Sequence, residues 1–226
     1  MRWDAIVVGA ALAGVLAWRT RRDQVQARAW RTGLFDDCGS LLGRAVVRQD
    51  RAGWPLLEGD LAGLPVTLSL IFDDAGYRKL PVLWLSATVT APLRVTGAFD
   101  ALAREQGTEF FSPANELPVR LALPPGWSGH VSLRADRAVP MPGPLADFGT
   151  RYFAAPDAKE IVVSPRGLRL VRRVAESRRA DYLVLRRARF EFERIDAGVV
   201  AAHLAELREL AQALDTSTSG AARHAA

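Results

Sequence analysis

Two stretches decide the fold: "LPVTLSLIF" at residues 64–72 and "LPVLWLSATVT" at residues 80–90. In both, every second residue is apolar, which is the period of a strand with one buried face. The expected core-facing residues are Val66, Leu68, Leu70 and Phe72 in the first strand, and Leu83, Leu85, Ala87 and Val89 in the second. The intervening "DDAGYRK" has the composition of a turn. The two stretches therefore predict an antiparallel pair.

The same period continues on both sides of this pair. "KEIVV" and "LRLVRRV" flank a Ser-Pro-Arg-Gly turn at residues 164–167 and predict a second hairpin. "DYLVLRRARFEFER", residues 181–194, predicts a long strand, whereas "FDALAREQ", residues 99–106, predicts a short helix that ends at Gly107.

A final helix is predicted from a cap at Asp196 to about Leu214. Its apolar stripe consists of Val200, Leu204, Leu207, Leu210, Ala211 and Leu214. Runs of strands with few helices indicate an α+β fold with a mainly antiparallel sheet, on which the C-terminal helix packs.

The chain divides by composition into three parts. Residues 1–32 predict a membrane anchor helix and a basic stalk, and residues 33–215 predict the α+β domain. The proline-rich "VPMPGP" places a candidate subdomain boundary near 138–144. The polar, small-residue segment 216–226 predicts a disordered tail.

The anchor is predicted from "WDAIVVGAALAGVLAW", residues 3–18. The run from Ala5 to Ala17 carries no charge, and Trp3 and Trp18 bracket it as interfacial aromatics do. The small residues Gly9 and Gly14 suit close helix contacts in lipid. As a helix the segment is about 24 Å long, against about 30 Å of hydrocarbon, so a buried helix or a signal sequence remains an alternative.

Arginines after the apolar run predict its orientation. Arg19, Arg21 and Arg22 begin a basic stalk, and cationic residues favour the cytoplasmic side of a membrane. We therefore expect a single-pass protein of the inner (plasma) membrane whose α+β domain faces the cytoplasm.

The same stretch also resembles the fingerprint of flavin- and nicotinamide-binding proteins, in which a strand runs into G-x-G-x-x-G. Gly9 and Gly14 match the first and third glycines, but Ala11 occupies the position of the second. The resemblance implies an oxidoreductase with a degenerate dinucleotide site at residues 9–14, and it covers about a dozen residues.

Motifs of catalysis and metal binding are absent from the sequence. No nucleophile elbow, P-loop, HExxH or CxxC occurs. The neighbouring acids, Asp36 with Asp37, Asp73 with Asp74 and Glu58 with Asp60, lie in turn-like contexts. Cys38 stands beside Asp37, which raises a thiol pKa rather than activating the thiol. We expect no enzyme activity, no cofactor and no metal.

A segment rich in arginine, residues 166–194, is the one notable charge feature. Its candidate interaction strip consists of Arg166, Arg169, Arg172, Arg173, Arg187 and Arg189. A solvated sheet face is one interpretation, and a peripheral binder of anionic lipid or RNA is another. Nucleic acid is disfavoured because the nearby aromatic residues share the expected core face.

Together these observations predict a non-enzymatic accessory or assembly subunit of a membrane protein complex. Its expected partners are membrane lipid and other membrane-protein subunits.

Overall fold

The computed structural model describes residues 3–74, 80–107, 109–179, 182, 188 and 190–221. Its helices are α1 (Trp3–Thr32), α2 (Gly143–Tyr152) and α3 (Ala197–Ala221), with 3₁₀ helices at Gly33–Leu41 and Pro113–Glu116. Its strands are β1 (Gly43–Gln49), β2 (Pro55–Leu61), β3 (Leu64–Asp73), β4 (Val82–Val89), β5 (Phe99–Ala103), β6 (Val119–Arg120), β7 (Val131–Ala135), β8 (Ala158–Ser164) and β9 (Gly167–Glu176).

All of these strands form one antiparallel sheet in the order β1-β2-β3-β4-β9-β8-β5-β7-β6. The predicted α+β class is therefore confirmed. Strands β7 and β8 flank the proline-rich segment 138–144, and both pair with β5. The candidate boundary thus lies between two strands of a single sheet.

Both predicted hairpins are present. Leu68 pairs with Ala87 and Leu70 with Leu85 across β3 and β4, and all the predicted core-facing residues except the partly buried Phe72 are buried. Trp84 and Ser86, predicted on the opposite face, are buried as well. Strand β8 turns into β9 with Ser164 opposite Gly167.

Helices cover one face of the sheet, which we call the helical face. The predicted stripe of α3 is buried, with Val200, Leu207, Leu210 and Leu214 each 0% exposed. Asp196 caps the helix as predicted, because its Oδ1 accepts hydrogen bonds from the backbone N–H groups of Gly198 and Val199. The helix continues to Ala221, beyond the predicted end near Leu214, and residues 222–226 lie outside the described part.

A set of polar contacts joins α3 to β9 on the helical face. It consists of Tyr152, Arg172, His203 and Glu206. Arg172 donates two hydrogen bonds to Glu206, of 3.0 and 2.7 Å, and stacks over the Tyr152 ring at 4.5 Å. Tyr152 donates to the Val171 carbonyl, and His203 Nε2 lies 3.2 Å from the Leu170 carbonyl. The charged groups are paired with one another at the edge of an apolar core.

The predicted helix over residues 99–106 is wrong. Residues Phe99–Ala103 form β5, which lies between β8 and β7 with all five residues buried. A short run buried on both faces does not alternate, so its sequence does not distinguish a strand from a helix. Gly107 has a positive φ of 74°, but it follows the turn after a strand.

The predicted strand over residues 181–194 falls largely outside the described residues, and the described ones, 182, 188 and 190–194, are not in a strand. The last of these, residues 190–194, lie next to the end of α1. Trp30 stacks on Phe190 at 5.9 Å, and its indole N–H donates to the Phe192 carbonyl at 2.8 Å. The aromatic seat of α1 is completed by Trp54 and Phe72, whose rings lie 5.6 Å apart.

Helix α1 is one continuous helix of 30 residues. Among the helices that the structure describes, none is both long and apolar enough to cross a bilayer. The predicted membrane-spanning helix is therefore not supported. The physical reason is that the uncharged run from Ala5 to Ala17 covers only about 20 Å of a hydrocarbon core of about 30 Å.

Substituting Leu207→Ala should lower the free energy of unfolding by about 3 kcal/mol, because it leaves a cavity between α3 and the sheet. Urea unfolding measures the change. Val199→Ala in the same helix is the control, since Val199 is 50% exposed and its loss should cost little. Equal losses in both variants would contradict the packing of α3 described above.

Candidate functional site

The opposite face of the sheet, which we call the strap face, carries a buried polar network. A segment that we call the strap, residues 104–107 and 109–118, crosses this face between β5 and β6. A register shift between Ala158 and Glu160 marks a bulge in β8. Next to it, both Lys159 and Glu160 bond to groups on the strap face.

Three ion pairs build the network. Glu160 accepts from Arg169 at 2.6 Å, Glu109 from Lys159 at 2.8 Å, and Glu105 from Arg134 at 3.1 Å. Lys159 also donates to the carbonyls of Ala103 and Arg104, and its ammonium lies 5.6 Å from the centre of the Trp84 ring. Glu105 and Glu109 belong to the strap, so charged contacts hold the strap on the sheet.

Asp100 is a fourth carboxyl in this network and has no base of its own. It is 1% exposed, and its Oδ2 accepts a hydrogen bond from the Ser112 hydroxyl of the strap at 2.9 Å. Burial and the nearby Glu160 carboxylate raise the pKa of Asp100 from 3.8 to about 7. Asp100 therefore holds a proton at slightly acidic pH, where most aspartates are ionised.

Burial also raises the pKa of Glu160, but the Arg169 guanidinium opposes this effect. Because Arg169 contacts Glu160 directly, we assign the proton to Asp100 and the negative charge to Glu160.

Buried polar atoms without a hydrogen bond are concentrated on the strap face. Among the described residues they are Trp84 Nε1, Asp100 Oδ1, Arg134 Nε, Glu160 Oε1, Arg169 Nε and, on the helical face, His203 Nδ1. Each such atom costs about 1–3 kcal/mol relative to a bonded one. Five of these six atoms lie on the strap face.

A groove of about 480 Å³ opens beside the strap, over the ends of β4, β8 and β9. Phe110 and Phe111 of the strap form an aromatic side of it, and Phe110 is 69% exposed. The polar residues along the groove are Thr88, Thr90, Ser112, Ser164, Arg166, Arg169 and Glu116. Ser112 and Arg169 line the groove and also bond to Asp100 and Glu160, which are themselves buried beneath them.

The arginines of the candidate strip are distributed over both faces of the sheet. Arg166 and Arg169 line the groove, Arg172 bonds to Glu206 under α3, and Arg173 lies 3.9 Å from Glu176. Two further members, Arg187 and Arg189, lie outside the described residues.

The candidate anchor residues lie along α1. Trp3, Gly9, Gly14, Trp18, Arg19, Arg21 and Arg22 all belong to the helix. A Cβ atom built on Gly9 or Gly14 would meet no other atom within 4 Å. Arg22 lies over the Trp18 ring at 5.6 Å. The strand and glycine turn of a dinucleotide fingerprint are not formed at residues 9–14, which are helical.

The remaining candidates have structural surroundings. Asp36 and Asp37 both face Arg194, and Asp60 accepts a hydrogen bond from the Gly63 backbone N–H. Cys38 is buried, and burial together with Asp37 raises the pKa of its thiol to about 11, in the predicted direction. No group of three or more potential metal ligands is found among the described residues.

Sequence reasoning did not find Asp100 and Glu160, which lie 60 positions apart in the chain. A signal existed, because each is a lone acid within a buried strand, in "FDALA" and "KEIVV". Only the pairing of β5 with β8 brings them together.

Neither a protein-family model nor a curated protein matches this chain.

Substituting Asp100→Asn should flatten the pH dependence of stability. The folded state keeps the Asp100 proton up to about pH 7, whereas the unfolded chain releases it near 3.8. The wild-type protein should therefore lose stability as the pH rises from about 4 to 7. The variant should be more stable at pH 8, by on the order of 2 kcal/mol.

Urea unfolding at pH 5 and pH 8 measures this difference. Asp147→Asn is the control, since Asp147 is exposed on α2 and should leave the wild-type decline intact. A decline that persists in Asp100→Asn would show that another group carries the proton.

Proposed function

We propose that the protein is a non-enzymatic accessory or assembly subunit of a membrane protein complex, attached through α1 and carrying its sheet domain on the cytoplasmic side. The observation that carries this proposal is the exposure of the apolar half of α1. An isolated chain that leaves such a helix in water has an interaction surface to cover.

The described apolar side chains along the first half of α1 are exposed. Val7 is 65% exposed, Leu12 60%, Leu16 64% and Trp18 58%. Among the residues that the structure describes, the domain contacts α1 at its C-terminal end, where Trp30 enters the aromatic seat. A helix that is apolar on all sides is stable in lipid or among other helices.

The charge pattern supports attachment at a membrane. Arg19, Arg21 and Arg22 follow Trp18 directly, and all are exposed. Such arginines favour anionic headgroups on the cytoplasmic side. Because the apolar run is shorter than a bilayer, we propose that it lies in the membrane against helices of a partner subunit, where Gly9 and Gly14 permit close approach.

The polar network supports a binding role more than a catalytic one. Asp100 and Glu160 are almost fully enclosed beneath the strap, whereas a general acid or base must reach its substrate. The groove beside them is open and suits contact with another molecule.

Substituting Leu16→Asp should release the protein from membranes. An aspartate within the apolar segment disfavours insertion by about 3 kcal/mol relative to leucine, which corresponds to roughly a hundredfold weaker partition. Flotation of the full-length chain with membranes, followed by alkaline carbonate extraction, measures attachment.

Val25→Asp is the matched control, because Val25 is 61% exposed on the same helix but lies beyond the apolar segment. It should float like the wild-type chain. A wild-type protein that carbonate releases quantitatively would refute insertion. A protein that remains monomeric and without partners after mild detergent extraction at native expression would refute the accessory role.

A further inference from the structure

The groove lies at the opposite end of the sheet from α1. Phe72, in the aromatic seat, pairs with Leu83 near the start of β4, whereas Thr88, Val89 and Thr90 line the groove at the end of β4. Six residues of strand separate Leu83 from Val89, which is about 20 Å. The groove and the attachment point of α1 are therefore at opposite ends of β4.

Groups that donate hydrogen bonds dominate the groove. Arg166, Arg169 and the hydroxyl-bearing residues Thr88, Thr90, Ser112 and Ser164 line it together with the carboxylate of Glu116, and the charge of Arg169 is balanced by Glu160 beneath it. The exposed Arg166 guanidinium complements a carboxylate of a ligand.

Arg166 is the positively charged residue of the groove that can bind a ligand. It is exposed at the β8–β9 turn and makes no ion pair with any residue that the structure describes. Arg169 also lines the groove, but its guanidinium is already bonded to Glu160 and to the Phe111 carbonyl. Arg166 is therefore the group that can bind an anionic oxygen of a ligand.

Aromatic residues provide the apolar part of the surface. Phe110 is the most exposed large apolar side chain among the described residues, and its ring meets Phe111 edge-on at 5.5 Å. Exposed aromatics beside an unpaired arginine have the composition of a protein-binding hot spot.

We propose that this distal groove binds an acidic segment of a partner protein, with a carboxylate on Arg166 and an apolar side chain on Phe110 and Phe111. The inference rests on the proposed function, because it names the chemistry of the partner that an accessory subunit would hold. A protein segment is favoured over lipid because the groove lies at the far end of the sheet from α1.

Fluorescence anisotropy with the full-length chain in an uncharged detergent tests the proposal. The probe is a short fluorescein-labelled peptide of alternating Glu and Leu, and a Lys and Leu peptide of the same length is its counterpart. We expect saturable binding of the acidic peptide that weakens with added salt, and no saturable binding of the basic one.

Arg166→Glu should weaken binding of the acidic peptide by at least about tenfold. Arg51→Glu is the matched control, because Arg51 is exposed in the β1–β2 turn outside the groove, and it should bind like the wild-type chain. Phe110→Ser should also weaken binding, while Val199→Ser, an exposed apolar position on α3, should not.

Three outcomes would overturn the proposal: absence of acidic-peptide binding, equal binding of the basic peptide, or equal loss in Arg51→Glu and Arg166→Glu. Flotation separates this failure from that of the proposed function, since Arg166→Glu leaves α1 unchanged and should float with membranes like the wild-type chain.

Discussion

Among the described residues, helices pack on one face of the nine-stranded sheet, and the strap crosses the other. On the helical face, α2, α3 and the first 3₁₀ helix bury Leu, Val and Phe side chains. On the other face, the cover is a strap with little regular structure. Ion pairs, rather than mainly apolar contacts, hold it on the sheet. The buried acid pair, the unbonded polar atoms and the groove all follow from this inequality between the two faces.

The strap face differs from the helical face in its response to pH. Apolar burial is nearly independent of pH, whereas the buried Asp100 carboxyl of the strap face has a pKa of about 7. The Ser112 hydroxyl of the strap bonds to Asp100, so a group that titrates near neutral pH lies beneath the part of the molecule that borders the groove.

Alternation predicted the sheet where each strand has one buried face, as in β3 and β4. It failed at β5, whose five residues are buried on both sides, because a short continuous apolar run has no period to read. The arginine strip was distributed over two faces for a related reason. Adjacent residues such as Arg172 and Arg173 point to opposite sides of a strand, so a dense run of arginines along β9 does not form one surface.

The candidate site was beyond sequence reasoning because its parts come from distant segments. Asp100, Ser112, Glu160 and Arg169 meet only after β5, β8 and β9 are ordered side by side. No local motif encodes that order. The sequence feature that accompanies this site is a single acidic residue within an otherwise apolar strand. Such a residue indicates a candidate site even where no motif surrounds it.

The route by which α1 joins the domain determines how the two move together. Between Arg19 and Ala29 the helix contains neither glycine nor proline, and it passes directly into the 3₁₀ helix at Gly33, whose Leu34 and Phe35 are fully buried. Trp30 is held at the junction by rings on three sides. A continuous helix that is packed into the domain in this way is stiff and not a flexible linker. A change in the tilt of the N-terminal half of α1 therefore changes the orientation of the whole sheet.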